Sequence, residues 1–139
     1  MGTWDFGPFD NDSAADWCGD LQDADPARRI ELIRDTLTEV LHEGEYLDSH
    51  EGSAAVAAAA VIASQLPGGS PLTSAYAPDF LKAKDGALEI PADLPPLALR
   101  ALDRVAGDDS EWRDLWEDGL PKALTALHPI RETLQSAAE

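Results

Sequence analysis

Apolar residues recur along most of this chain at the three- and four-residue spacing of an amphipathic helix. Ala14, Trp17, Cys18 and Leu21 fall at i, i+3, i+4 and i+7, with Asp16 and Asp20 on the opposite side. Asp12 or Ser13 is the expected N-cap, because Ser13-Ala14-Ala15-Asp16 has the shape of a capping box. Asp25-Pro26 opens a second helix, since Asp is a favoured cap and Pro at the first helical position loses no needed hydrogen bond. Ile30, Ile33, Leu37, Val40 and Leu41 carry its apolar stripe, and Gly44 is the expected stop. Asp48 and Glu51 form another capping pair. They precede a run from Ser53 to Leu66 that is mostly alanine. A helix that is small on nearly every side predicts a central position, where neighbouring backbones come close.

Pro67-Gly68-Gly69 ends that helix. Residues 67–93 then read as an irregular connection rich in Pro and Gly, with a short helix over Pro78–Lys84 carrying Phe80 and Leu81 inward, and an extended stretch at Leu88-Glu89-Ile90. Asp93 starts the next helix, with Pro95 and Pro96 tolerated in its first turn. Leu94, Leu97, Ala98, Ala101, Leu102 and Val105 line one side, and Gly107 closes it. Asp108 and Glu111 suggest a third capping box ahead of Trp112, Leu115 and Trp116, with Gly119 as the stop. Leu120, Leu124, Leu127, Ile130 and Leu134 run along the last helix, and Pro129 is expected to kink it near His128. No alternating run competes as a strand and no solenoid period is visible. The pattern therefore predicts an all-α protein: one compact domain over 1–139, built as a bundle of five to seven helices, with an irregular arm over 1–12 packed across it.

Composition narrows the functional classes. The chain has 139 residues, of which 44% are hydrophobic, enough for a real core without staples. Its one cysteine, Cys18, excludes an intramolecular disulfide and a cysteine-cluster metal site. Nothing basic precedes an apolar run at the N-terminus, so no signal peptide is expected, and the apolar stretch Ala54–Leu66 is too short to span a bilayer. A cytoplasmic protein without membrane contact is the simplest expectation. The net charge of -17, from 27 acidic and 10 basic residues, argues against direct nucleic-acid contact, which needs Lys and Arg to displace counterions. Such acidity serves solubility, or it steers in a basic partner. Before Arg28 the chain holds aspartates at 5, 10, 12, 16, 20, 23 and 25 and no Lys or Arg.

Three stretches carry a resemblance. They are Met-Gly-x-Trp-x-x-Gly-Pro-Phe-Asp-Asn-Asp-x-Ala-x-Asp-Trp at the start, Tyr46-Leu47-Asp48-x-x-Glu51-Gly52 in the middle, and Ser110-Glu111-Trp112-x-x-Leu115-Trp116 near the end. With these the chain resembles, over nearly its whole length, a bacterial and mainly actinobacterial family of small acidic proteins, a domain of unknown function. The resemblance implies no activity, cofactor or catalytic residue. The chain departs from that family at Asp5, where glycine is frequent, and at Gly119-Leu120-Pro121-Lys122, where relatives often carry another tryptophan.

No chemistry is assembled by spacing. Counted as a calcium loop from Asp10, the fifth, sixth and twelfth positions are Ala14, Ala15 and Leu21, so the ligand pattern fails. Gly2 and Gly7 cannot cradle phosphate beside Pro8 and a crowd of aspartates. His42, Glu43, Glu45, Asp48, His50 and Glu51 hold metal-capable groups but lack helical ligand spacing. Cys18 sits on an apolar stripe, where a thiol is inert, and no nucleophile–base pair can be named. No catalytic residue, cofactor or metal ligand is expected. What stands out is the opening segment: Trp4, Phe6, Phe9 and Trp17 among Asp10, Asn11, Asp12 and Asp16. The aromatics are expected to pin the arm to the bundle, and Trp4, Phe9, Asp10, Asn11, Asp12 and Asp16 are the candidate binding residues. The function expected is protein–protein interaction with a basic partner, inhibitor-, immunity- or antitoxin-like. The alternatives are a divalent-metal-binding protein or an enzyme with a site between helices.

Overall fold

The structure is a computed structural model that describes residues 11–67 and 88–138. Among those residues it is all-α. The helices are α1 (Asp12–Asp23), α2 (Arg29–His42), α3 (Ser49–Ser64), α4 (Leu94–Ala106), α5 (Glu111–Trp116) and α6 (Leu120–Ala138), with 3-10 turns at Pro26–Arg28 and Glu117–Gly119. The helix expected over Pro78–Lys84 and most of the arm lie outside the described residues.

The alanine-rich helix is the axis of the bundle. Every residue of α3 from Gly52 to Ala63 is buried, and α1, α2, α4, α5 and α6 all pack on it. An alanine side chain is one methyl, so several helices approach this one on different sides, and Val56, Val61 and Ile62 fill what the alanines leave. Around it the predicted stripes face inward: Ala14, Trp17, Cys18 and Leu21 of α1, Ile33, Leu37 and Val40 of α2, and Leu94, Ala98, Ala101, Leu102 and Val105 of α4.

The last helix departs in part from its predicted stripe. In α6, Ala123, Leu127 and Leu134 are buried, Leu120 and Ile130 pack partly, and Leu124 is exposed. This helix buries a narrower strip than the stripe of four leucines and one isoleucine suggests. Pro129 lies inside α6, which runs as one helix of 19 residues. The proline removes the amide that the Thr125 carbonyl would have received, but both residues are exposed, so water can serve that carbonyl.

Glycines mark helix ends less than the sequence suggested. α2 stops at His42, and Glu43 is already extended (φ -72°, ψ 107°) before Gly44 is reached. After α5 the chain turns at Glu117, which has φ 48° and ψ -121°, a backbone region that a side chain disfavours, and Gly119 lies within the following turn. Gly107 is different, because a Cβ there would lie 2.9 Å from the Asp103 carbonyl oxygen. Leu88-Glu89-Ile90 forms no strand; the Leu88 amide donates to the Gln65 side-chain oxygen at 3.2 Å. Among the described residues the one β-type pairing is an isolated parallel bridge between Leu47 and Ser110.

Candidate functional site

Of the candidate binding residues, Trp4, Phe9 and Asp10 lie outside the described residues. Asn11 has a structural task. Its Oδ1 accepts from the Ala14 amide at 2.8 Å, and its backbone is extended (φ -155°, ψ 160°), so Asn11 is the N-cap of α1. The expected caps are thereby corrected: Asp12 is the first helical residue and Ser13 the second. A side chain must precede the helix by one residue to reach its second or third amide, which Asn11 does. Asp12 and Asp16 are exposed, and with Asp20 and Asp23 they follow one another at four-, four- and three-residue steps along the outer side of α1. Trp17 belongs to the core instead: it is 7% exposed and its indole N–H donates to Thr36 Oγ1 at 2.9 Å, linking α1 to α2. Cys18 is buried beside it, and burial pushes its thiol up to about 12, so almost no thiolate exists at neutral pH.

Two of the sequence stretches noted above, 46–52 and 110–116, meet in space. The Leu47 amide donates to the Asp109 carbonyl at 2.7 Å, and the Glu111 amide donates to the Leu47 carbonyl at 2.8 Å. Glu111 Oε1 accepts from the Ser49 amide at 2.9 Å, and the Tyr46 hydroxyl donates to Asp114 Oδ2 at 2.6 Å. At Gly52 the α3 backbone comes so near α5 that an added Cβ would lie 3.2 Å from Trp112 Cβ. Asp48 is the N-cap of α3 as expected, accepting from the His50 amide at 2.7 Å. At α5 the expected pairing of Asp108 with Glu111 gives way. Ser110 is the N-cap position, its buried hydroxyl donates to the Val105 carbonyl at 2.5 Å, and Glu111 reaches across to α3 rather than back along its own chain. The bridge to Leu47 fixes the start of α5, a tertiary constraint that overrides the local motif.

Arginines hold this junction, and the hydrophobic pattern did not single them out. Arg104 donates to the carbonyls of Glu43 (3.3 and 3.4 Å), Glu45 (2.7 Å), Asp108 (3.2 Å) and Asp109 (3.1 Å), gathering the α2–α3 and α4–α5 loops around one guanidinium. Arg113 donates to the Ala106 carbonyl at 2.6 Å, and Arg29 to the Leu21 and Gln22 carbonyls at the end of α1 (3.1 and 2.9 Å). Arg29 and Arg113 thus donate to carbonyls in the last turns of α1 and α4, where the helix dipole favours a cation, while Arg104 donates to loop carbonyls. Arg104 was legible in part, as a basic residue in the last turn of its own helix. Arg29 and Arg113 serve the ends of other helices, which spacing does not disclose. Arg34 forms a two-pronged pair with Asp93 at 3.0 Å for each bond, and this holds the Asp93 carboxyl below the usual carboxylate range while leaving α4 without a side-chain cap from Asp93.

The acidic surroundings show in two groups. The bond to Asp114, with lesser help from desolvation and from Glu111 and Asp109, pushes the Tyr46 phenol up to about 12. Burial, together with Glu39, Asp48 and Glu43, raises Glu51 above the ordinary carboxylate range. Among the described residues no group of three or more His, Cys, Asp or Glu side chains gathers as a metal would require. His42 and His50 sit on the surface at the end of α2 and the start of α3, and exposed His128 lies 2.9 Å from Glu132 on α6.

Residues 2–126 match the family DUF4259, described as a domain of unknown function. The chain belongs to this family. No curated protein and no solved structure matches it. Within this DUF4259 chain, the matched span takes in the Asn11 cap, the Leu47–Ser110 junction and the start of α6. Among the described residues no helix is long and apolar enough to cross a membrane.

Proposed function

We propose that this DUF4259 protein acts by binding a basic protein, as an acidic helical inhibitor or immunity- or antitoxin-like partner in the cytoplasm. The observation that carries this reading is the aspartate stripe of α1. Asp12, Asp16, Asp20 and Asp23 are all exposed and extend over ~16 Å at 1.5 Å per residue. Like charges four apart on a helix oppose it by about 0.2–0.5 kcal/mol each. Only Asp12 lies in the first turn, where the helix dipole favours an acid, and no basic residue of α1 stands in its last turn. An arrangement that works against its own helix is better suited to an external cation than to stability. Arg104 and Arg113 turn donors to backbone carbonyls rather than to these aspartates.

The test is affinity capture from a native extract at low and moderate salt, with the wild-type chain beside a double variant, Asp16→Asn with Asp20→Asn. A basic protein retained by the wild type and lost by the variant is the expected result. No partner at either salt refutes the reading.

A further inference from the structure

Tyr46 is 50% exposed and Leu115 is 40% exposed, both at the α3–α5 junction. We propose that the Tyr46–Asp114–Leu115 surface is the anchoring site for the basic partner, and that the partner presents a guanidinium beside an aliphatic side chain. This rests on the proposed function and specifies where and with what chemistry the partner docks.

Tyr46 is held before any partner arrives. Its hydroxyl is bonded to Asp114, and the next residue, Leu47, is locked by two backbone bonds to the α4–α5 segment. A large side chain that is already ordered loses little conformational freedom on binding, which is why tyrosine serves so often as a contact residue. Leu115 follows Asp114 on α5 and stands four residues after Glu111, so Glu111, Asp114 and Leu115 share one side of that helix. Asp109, Glu111 and Asp114 are all near enough to act on the Tyr46 phenol. A carboxylate accepts on both oxygens, and Tyr46 engages one oxygen of Asp114.

Charge complementarity selects the occupant. Exposed aromatic and aliphatic carbon rimmed by carboxylates matches a cation that also has a planar, weakly hydrated face. Guanidinium stacks on a phenol ring and pairs with a carboxylate in the same pose, whereas ammonium is a compact, strongly hydrated charge. The α1 stripe lacks the apolar part, since Ala14, Trp17, Cys18 and Leu21 are all buried. Carboxylates alone accelerate encounter, and a desolvated aromatic anchor slows departure. The stripe therefore steers and the junction anchors.

The experiment titrates the full 15N-labelled chain with two end-blocked peptides of equal charge, one alternating Arg with Leu and one alternating Lys with Gly. The expected result is amide shifts concentrated at 46–49 and 111–116 with the Arg–Leu peptide, binding about fivefold tighter than with Lys–Gly, and loss of that margin in Leu115→Ser. Tyr46→Ala should do the same. Leu115→Ser guards against misfolding, because its side chain is outside the core. Equal binding of both peptides, or shifts confined to 12–23, overturns the anchoring site while leaving an acidic binder in place. No shift with either peptide at low salt overturns the site, and the capture experiment then decides the broader reading independently. Concentration-dependent sedimentation that disappears in Leu115→Ser also overturns it, because the surface would then join two copies of this chain.

Discussion

Replacing Gly52 by alanine adds one methyl group where α3 passes α5. Two effects oppose each other. Alanine is favoured over glycine inside a helix by about 0.8–1.0 kcal/mol. Against this, the new Cβ lies 3.2 Å from Trp112 Cβ and 3.5 Å from Val105 Cγ1, whereas carbon atoms rest at about 3.5–4.0 Å. The Trp112 Cβ cannot rotate away, because it is bonded to the α5 backbone. That backbone is tied to α3 through the Leu47 bridge and the Ser49–Glu111 bond. Relief requires α5 to move as a unit, and overpacking of this kind costs about 1–3 kcal/mol. The steric term wins, and Gly52→Ala should destabilise by about 1 kcal/mol. Gly19 is the control. It also lies inside a helix, but a Cβ there meets nothing within 4 Å, so Gly19→Ala should stabilise by about 0.5–1 kcal/mol. Urea unfolding followed by circular dichroism measures both against wild type, with an unchanged slope showing that the denatured state is the same. If Gly52→Ala is as stable as wild type or more so, the close approach of α3 and α5 is wrong.

Three further outcomes follow from the junction. Arg104→Met should lower stability by about 2 kcal/mol, since four loop carbonyls lose a charged donor but regain water in part, and Arg104→Lys should recover less than half; a Tm within one degree of wild type would contradict this. One of the two tyrosines, Tyr46, should titrate at about 12 by ultraviolet absorbance, and Asp114→Asn should return it toward 10; the raised folded-state value also means that stability present below the unfolded pKa is lost as pH rises through 12. Glu51→Gln should raise the Tm at neutral pH, because a carboxyl whose folded pKa lies above its unfolded value favours folding when protonated, and the advantage should shrink as pH falls through the carboxylate range.

The local alphabet of this protein is written in its sequence. The buried side of α1, the central place of the alanine-rich α3 and the Asp48 cap are each set by residues within one or two turns, and helical periodicity reports such short-range facts. The central place of α3 also follows from size alone, since a helix of methyl groups lets others approach from several directions. Ends and edges were legible less often. Asn11 rather than Asp12 or Ser13 caps α1, because two aspartates, an asparagine and a serine in a row offer several local solutions and only the backbone angle at Asn11 selects one. Leu124 reads as core on spacing but is exposed, because α6 buries only Ala123, Leu127 and Leu134 of that side.

The candidate site divides in the same way. The aspartates of α1 face water by periodicity alone. The meeting of Tyr46 with Asp114, 68 residues apart, and the guanidinium of Arg104 over loops that are distant in sequence, exist only once α3, α4 and α5 have packed. Sequence determines what each helix must bury, because that depends on neighbours three and four residues away. Tertiary structure decides which polar groups share a site, because that depends on which chain ends the packing brings together.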